Sequence, residues 1–259
     1  MPQELPPRRV TRRPITWAFW LCVLVVYPVT MLLFRLRYRH AERIPRTGGV
    51  LLVANHVSVL DPLACARLVW DSGRVPRFLA KESVFQGLAG TILRAAGQIP
   101  VSRGSTNAGS SVHAAKAALD AGELVVIYPE GSVTRDPEWW PMQARSGVAR
   151  LALTTEAVVL PVAQWGPQRV HDYHTKRLHL RLRTPAEYLV GEPVDLSAQR
   201  AQVRPGEVLS GPLLREVTDQ LMVHVRDQLG ELRGERPPTE FHPRPVHTAL
   251  AGDQPGTAA

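Results

Sequence analysis

The chain has 259 residues, 44% of them hydrophobic and 21% charged, which is enough for a full core in one or two domains and excludes wholesale disorder. Thirty-one Lys and Arg against 23 Asp and Glu leave a net charge of +8, which favours an anionic partner: nucleic acid, an acidic membrane or a phosphorylated substrate. Only two cysteines, Cys22 and Cys65, are present, so a disulfide scaffold and a cysteine-ligated zinc site are both excluded.

Residues 1–14 form a basic arm carrying Arg8, Arg9, Arg12 and Arg13. Residues 15–34 hold no charge, and as a helix they would extend ~30 Å, the thickness of a hydrocarbon core. The run predicts a membrane-associated helix. A cleaved signal is disfavoured because RLRYRH follows it, not a small-residue cleavage site. With Arg35, Arg37 and Arg39 on the far side, both flanks are basic and the positive-inside rule does not choose an orientation. Two geometries stay open. One is a single-pass anchor. The other is a helix lying in the cytoplasmic leaflet, kinked at Pro28, with both flanks on anionic headgroups.

From 35 to 233 short apolar runs alternate with helical patterns. Strands are expected at 50–54, 77–80, 99–101, 123–128, 157–163 and, by alternation, 178–183. Helices are expected at 61–70, 83–96, 106–121, 144–155 and 213–232, several of them closed by Gly. Strands separated by helices imply an α/β domain with a mostly parallel central sheet flanked by helices. The last helix is amphipathic and is expected to pack on the core. Residues 234–259 are rich in Pro, Gly, Thr and Ala without a period, the pattern of an unstructured tail.

Three segments carry chemistry. In Asn55-His56-Val57-Ser58-Val59-Leu60-Asp61, His56 follows a buried strand and Asp61 stands where a helix begins. A loop between them can fold the carboxylate onto the imidazole, fixing its tautomer and leaving the other nitrogen to take a proton. The alternative is that Asp61 only caps the helix and His56 is a loop residue. In Tyr128-Pro129-Glu130-Gly131-Ser132, Gly131 permits close backbone approach to a ligand, and Glu130 and Ser132 offer an acceptor and a hydroxyl. The same residues would also make an ordinary strand-ending turn. In Gly97-Gln98-Ile99-Pro100-Val101-Ser102-Arg103-Gly104, an Arg beside glycines suits a phosphate, with Lys81 as a second positive charge. A solvated surface Arg is the plainer reading.

Taken in order, the NHx4D box, Lys81 at a strand end, Gly97 to Arg103, a strand with PEGS and a later apolar strand with Pro161 resemble the glycerolipid acyltransferase family. The resemblance covers about residues 36–190. It implies that His56 is the catalytic base and Asp61 its orienting partner. It implies that Arg103 and Lys81 hold the acceptor's phosphate, and that Glu130, Gly131 and Ser132 bind the acceptor. The family often has Arg directly after the PEG[ST] hydroxyl residue. Here Val133 and Thr134 intervene, so Arg135 would do that work from a displaced position. Trp139 and Trp140 follow in an extended loop, as a membrane-interface pair or a packed lid.

The implied function is membrane-bound transfer of a fatty acyl group from acyl-CoA or acyl carrier protein to a lysophospholipid hydroxyl, with 1-acylglycerol-3-phosphate as the first candidate acceptor. Another lysolipid or hydroxylated lipid, or a catalytically silent lipid binder on the same fold, are the alternatives. No cofactor or metal is implied: the spacing of His171, His174 and His179 fits no standard zinc signature. No nucleic-acid motif appears, and much of the basic excess flanks the apolar run. No GxSxG elbow is present, so the expected reaction is direct transfer without an acyl-enzyme.

Overall fold

The computed structural model describes residues 15–101, 108–204 and 206–244. The helix α1 (Trp17–Leu33) opens the fold and leads directly into strand β1 (Phe34–Arg39). Then follow β2 (Val50–Ala54), α2 (Asp61–Asp71), β3 (Pro76–Lys81), α3 (Gly87–Ala95) and β4 (Ile99–Val101). Next come α4 (Ala108–Asp120), β5 (Leu124–Ile127), α5 (Gly147–Thr154) and β6 (Val158–Trp165). A small hairpin, β7 (His171–Asp172) with β8 (Arg177–Leu178), precedes β9 (Thr184–Val190), the short α6 (Ser197–Arg200) and the long α7 (Gly211–Arg233).

The main sheet has seven strands in the order β1-β9-β6-β2-β5-β3-β4. All its pairings are parallel except β6 with β9. The expected α/β architecture with a mostly parallel sheet therefore holds. β2 lies between β5 and β6, with Leu52 facing Val126 on one side and Leu160 on the other. Alternate β2 residues feed the two faces. Leu51 and Val53 join the core under α5 and α7, while Val50, Leu52 and Ala54 join Ala64, Cys65 and Leu68 of α2. A strand covered on both faces reads as an unbroken apolar run, which is why 50–54 stands out in the sequence.

The N-terminal helix corrects the bounds expected at 15–34 and the single-pass geometry. It is 17 residues long, ~25 Å at the usual rise. Among the described residues no helix is long and apolar enough to cross a membrane. Phe34 leaves the helix because 34–39 is claimed by the sheet: β1 pairs with β9 from Phe34↔Thr184 to Arg39↔Leu189. Its Phe34, Leu36 and Tyr38 pack toward the core, and its arginines face out on an edge strand, the usual protection of such an edge. α1 itself packs on α2 and α3. Phe19 lies 5.4 Å and Trp20 5.5 Å, ring to ring, from Trp70, and Thr16 Oγ1 donates to Ala95 O at 2.9 Å.

Three further expectations are corrected. The helix over 83–96 is split into a 3₁₀ turn, Glu82–Phe85, and α3, with Gln86 between them and Gly87 at φ +61° opening α3. The alternating stretch 178–183 is not a core strand. Only Arg177 and Leu178 pair, with Asp172 and His171, and the strand proper is β9. Pro185 and Glu187 disguise β9 in the sequence, while Ala186, Tyr188 and Val190 are its buried face. Finally, residues 235–244 are not loose. Met142 pairs with His242 in an isolated parallel bridge, Gln143 N donates to His242 O at 2.9 Å, and Arg226 Nη1 donates to Thr239 O at 2.9 Å. The basic arm 1–14 and the tail from 245 onward lie outside the described residues.

Candidate active site

Because β2, β5, β3 and β4 run parallel, their C-terminal ends meet at one edge of the sheet. This edge is where open α/β sheets place their ligands. The sheet brings His56 after β2, Tyr128 to Ser132 after β5, and Lys81 at the end of β3 to it.

His56 Nδ1 and Asp61 Oδ2 are 2.8 Å apart. The same carboxylate oxygen accepts the backbone N–H of Val57 at 2.6 Å and of Ser58 at 2.8 Å. Asp61 is fully buried and the His56 side chain is 15% exposed. A carboxylate accepts only, so Nδ1 carries the proton and Nε2 is the ring nitrogen left to accept one. Burial pushes the Asp61 carboxyl above its usual range, and the His56 ring and the N–H groups of Ser58 and Val57 pull it back. Asp61 thus does more than open α2: it holds the imidazole and the turn that carries it.

A stack supports the imidazole. The Tyr128 ring lies 4.3 Å from His56 with an interplanar angle of 19°. Behind it, Asn55 and Gln164 brace the ends of β2 and β6: Asn55 Nδ2 donates to Gln164 O at 3.1 Å, and Gln164 N donates to Asn55 Oδ1 at 2.8 Å. Gln164 Nε2 also donates to Asn55 O. Neither support is evident from sequence: Tyr128 reads as the last position of the strand at 123–128, and Gln164 as the residue just past the strand at 157–163.

Glu130 departs from the role the resemblance implies. Its Oε1 accepts the His56 N–H at 2.8 Å and its Oε2 accepts the Met142 N–H at 2.9 Å. The side chain is buried, so the carboxyl holds two backbone segments together. Burial pushes it up to about 8, against the pull of the two N–H donors. Gly131 adopts φ +78°, and a Cβ there would sit 3.0 Å from Arg145 Nε. The conformation therefore favours Gly, while a methyl group there would need the exposed Arg145 side chain to give by a few tenths of an ångström. Ser132 is half-buried on the same loop.

The other expected residues lie farther out. Lys81 is exposed. Arg135 is exposed and committed to Tyr173, with Nη2 donating to the phenol oxygen at 3.1 Å. Arg103 lies outside the described residues. The two tryptophans are packed. Trp140 is buried under Arg233, whose guanidinium lies 4.0 Å from the ring centre. Trp139 stacks on His174 at 3.9 Å, and His174 Nε2 donates to Thr134 O at 3.0 Å.

Beside the His56–Asp61 loop opens an apolar cavity of about 410 Å³. Val59 and Pro62 form its near wall, α1 contributes Phe19 and Val26, and β3 contributes Phe78 and Ala80.

The acyltransferase family model matches residues 35–165, which contain the His56–Asp61 loop, Lys81 and the Tyr128–Ser132 turn. The chain belongs to the acyltransferase family. An uncharacterized protein of Mycobacterium leprae is 32% identical over 153 residues, covering 55% of this chain and 39% of that protein. An uncharacterized protein of Mycobacterium tuberculosis is 32% identical over 152 residues, covering 55% of this chain and 40% of its own length. The chain thus spans about two fifths of the length of the curated relatives it matches. Its fold is similar to that of the 1-acyl-sn-glycerophosphate acyltransferase PlsC of Thermotoga maritima, with a TM-score of 0.59 at 21% identity over 85% of this chain and 81% of that one.

Proposed function

We propose that this acyltransferase moves a fatty acyl group from a thioester, acyl-CoA or acyl carrier protein, to the free hydroxyl of a lysophospholipid. The observation that carries the reading is the 2.8 Å contact of His56 Nδ1 with the buried Asp61 carboxylate at the sheet edge, next to an apolar cavity. His56 Nε2 takes the proton of the acceptor hydroxyl as its oxygen attacks the thioester carbonyl. The imidazolium is stabilised by Asp61. When the tetrahedral intermediate collapses, the C–S bond breaks and the thiolate takes the proton back from Nε2. The step needs no protein nucleophile and no cofactor.

The apolar cavity suits an acyl chain, which keeps ~0.8 kcal/mol per CH₂ out of water. A phosphate on the acceptor suits Lys81, and Arg103 on the segment that follows β4. These cations, together with the likeness in fold to a 1-acyl-sn-glycerophosphate acyltransferase, favour 1-acylglycerol-3-phosphate as acceptor and phosphatidic acid as product. Both substrate and product are membrane lipids. The exposed apolar side chains of α1, among them Trp17, Trp20 and Leu24, suit a helix lying in the cytoplasmic leaflet's interface without crossing it.

The test is product formation by the purified protein from labelled acyl-CoA and 1-acylglycerol-3-phosphate in detergent, with His56→Ala in parallel. Labelled phosphatidic acid from the unaltered protein alone supports the reading. No product with any lysolipid and either donor, with lysolipid still bound, would replace it by a silent lipid binder.

A further inference from the structure

The mechanism leaves one surface unused. The segment from 176 to 183, Lys-Arg-Leu-His-Leu-Arg-Leu-Arg, is exposed throughout. Leu178, Leu180 and Leu182 are 57%, 74% and 62% exposed. Three large aliphatic side chains in a row are far from the scattered single leucines of an ordinary surface. Lys176, Arg177, His179, Arg181 and Arg183 alternate with them, and no acidic residue occurs between Asp172 and Glu187.

The segment is tied down at both ends. At one end its hairpin meets the active site: Ser58 Oγ donates to His171 O at 3.0 Å, and Tyr173 carries Arg135. At the other, Arg183 N donates to Leu32 O at 2.9 Å, on the last turn of α1. The segment therefore ends against the turn of α1 that carries the exposed Met31 and Leu32. Where the two meet, Arg35 and Arg183 line a cleft of about 200 Å³ together with Thr30, Tyr38 and Asp71. Asp71 is already occupied there by Arg67 Nε at 2.9 Å and the Tyr38 hydroxyl at 3.1 Å.

We propose that residues 176–183 are a docking strap that seats this protein on an anionic lipid bilayer. The inference rests on the reading that the substrate is a membrane lipid. The leucines enter the headgroup–acyl boundary, and the interleaved cations meet lipid phosphates, the pairing that interfacial segments use. Charge complementarity and the junction with α1 favour a bilayer over an acidic protein, which would need the cations more than three protruding leucines.

The full chain is floated with vesicles of phosphatidylcholine containing one third phosphatidylglycerol, and with phosphatidylcholine alone. The variants are Arg177→Gln/Arg181→Gln and Leu178→Ser/Leu180→Ser/Leu182→Ser. The charge variant is expected to lose roughly thirtyfold in partitioning to anionic vesicles at low salt, from ~1 kcal/mol per cation near the surface, and little on neutral ones. The leucine variant loses binding to both. Acyl transfer to detergent-dispersed lysolipid stays near the unaltered level in both variants, and their melting temperatures are unchanged because the altered side chains are exposed. Flotation of both variants like the unaltered chain overturns the proposal. So does no flotation of the unaltered chain. Absence of product from the unaltered chain in detergent would instead fault the acyltransferase reading and leave the flotation result standing.

Discussion

The carboxylate of Glu130 accepts the backbone N–H of His56 at 2.8 Å, across 74 positions of sequence. The loop after β5 thus holds the loop after β2, and the same carboxyl reaches on to Met142. Met142 in turn pairs with His242 in the segment after α7. The position of the imidazole is set by a chain of backbone contacts that begins well outside the His56–Asp61 box.

Removing the imidazole should remove the base and little else. His56→Ala is expected to lower kcat by about 10²–10⁴-fold, the usual contribution of a positioned base. Asp61→Asn should lower kcat strongly with KM nearly unchanged, because the amide oxygen can still accept Nδ1–H but carries no charge to stabilise an imidazolium. Steady-state kinetics on lysolipid in detergent, with circular dichroism to verify folding, checks both.

Glu130 makes a prediction about pH. Its carboxyl has an ordinary value of 4.5 and is pushed up to about 8 by burial. The folded state therefore holds a proton that the unfolded chain releases, and the stability from this group is full below 4.5 and lost as pH rises toward 8. Glu130→Gln removes the titration; its Nε2 cannot accept a backbone N–H, so it keeps one of the two bonds to His56 and Met142, and the lost bond costs a similar amount at every pH. Denaturant melts from pH 5 to 8 should show a shallower fall in stability for the variant than for the unaltered protein. Equal slopes would mean that Glu130 stays ionised.

Gly131→Ala places a methyl group where φ is +78° and Arg145 Nε would be 3.0 Å away. A loss of about 1 kcal/mol in stability is expected. Activity should fall further than stability, since this loop carries Glu130. Comparing urea midpoints with kcat/KM separates the two.

The apolar cavity predicts a chain-length effect. Ala66 lines it from α2. Ala66→Phe should cut kcat/KM for long-chain acyl-CoA while sparing short-chain donors, because only the longer chains need the filled volume. A uniform loss across chain lengths would place the acyl chain elsewhere.

Much of the site is legible in the chain itself. His56 and Asp61 stand five positions apart after a strand buried on both faces, and that spacing together with the β2 run is local information. Gly131 is likewise readable, because a residue without Cβ between Glu and Ser marks a special turn. The role of Glu130 is not readable: its two backbone partners are Met142, from the far end of the same long loop between β5 and α5, and His56, 74 positions earlier. The same holds for β1 and β9. Neither hydrophobic pattern is strong alone, and each becomes a strand because the other lies beside it.

The apolar run at 15–34 and the alternation at 178–183 show the boundary most clearly. Sequence by itself determined that both stretches carry apolar side chains and sit among arginines. Only the tertiary structure decided that the first ends at Leu33, as the sheet takes Phe34, and that the second keeps its leucines outside, as β9 takes the place beside β6. Periodicity records which side chains share a face. It does not record what that face meets, because the meeting surface is supplied by residues far away in the chain.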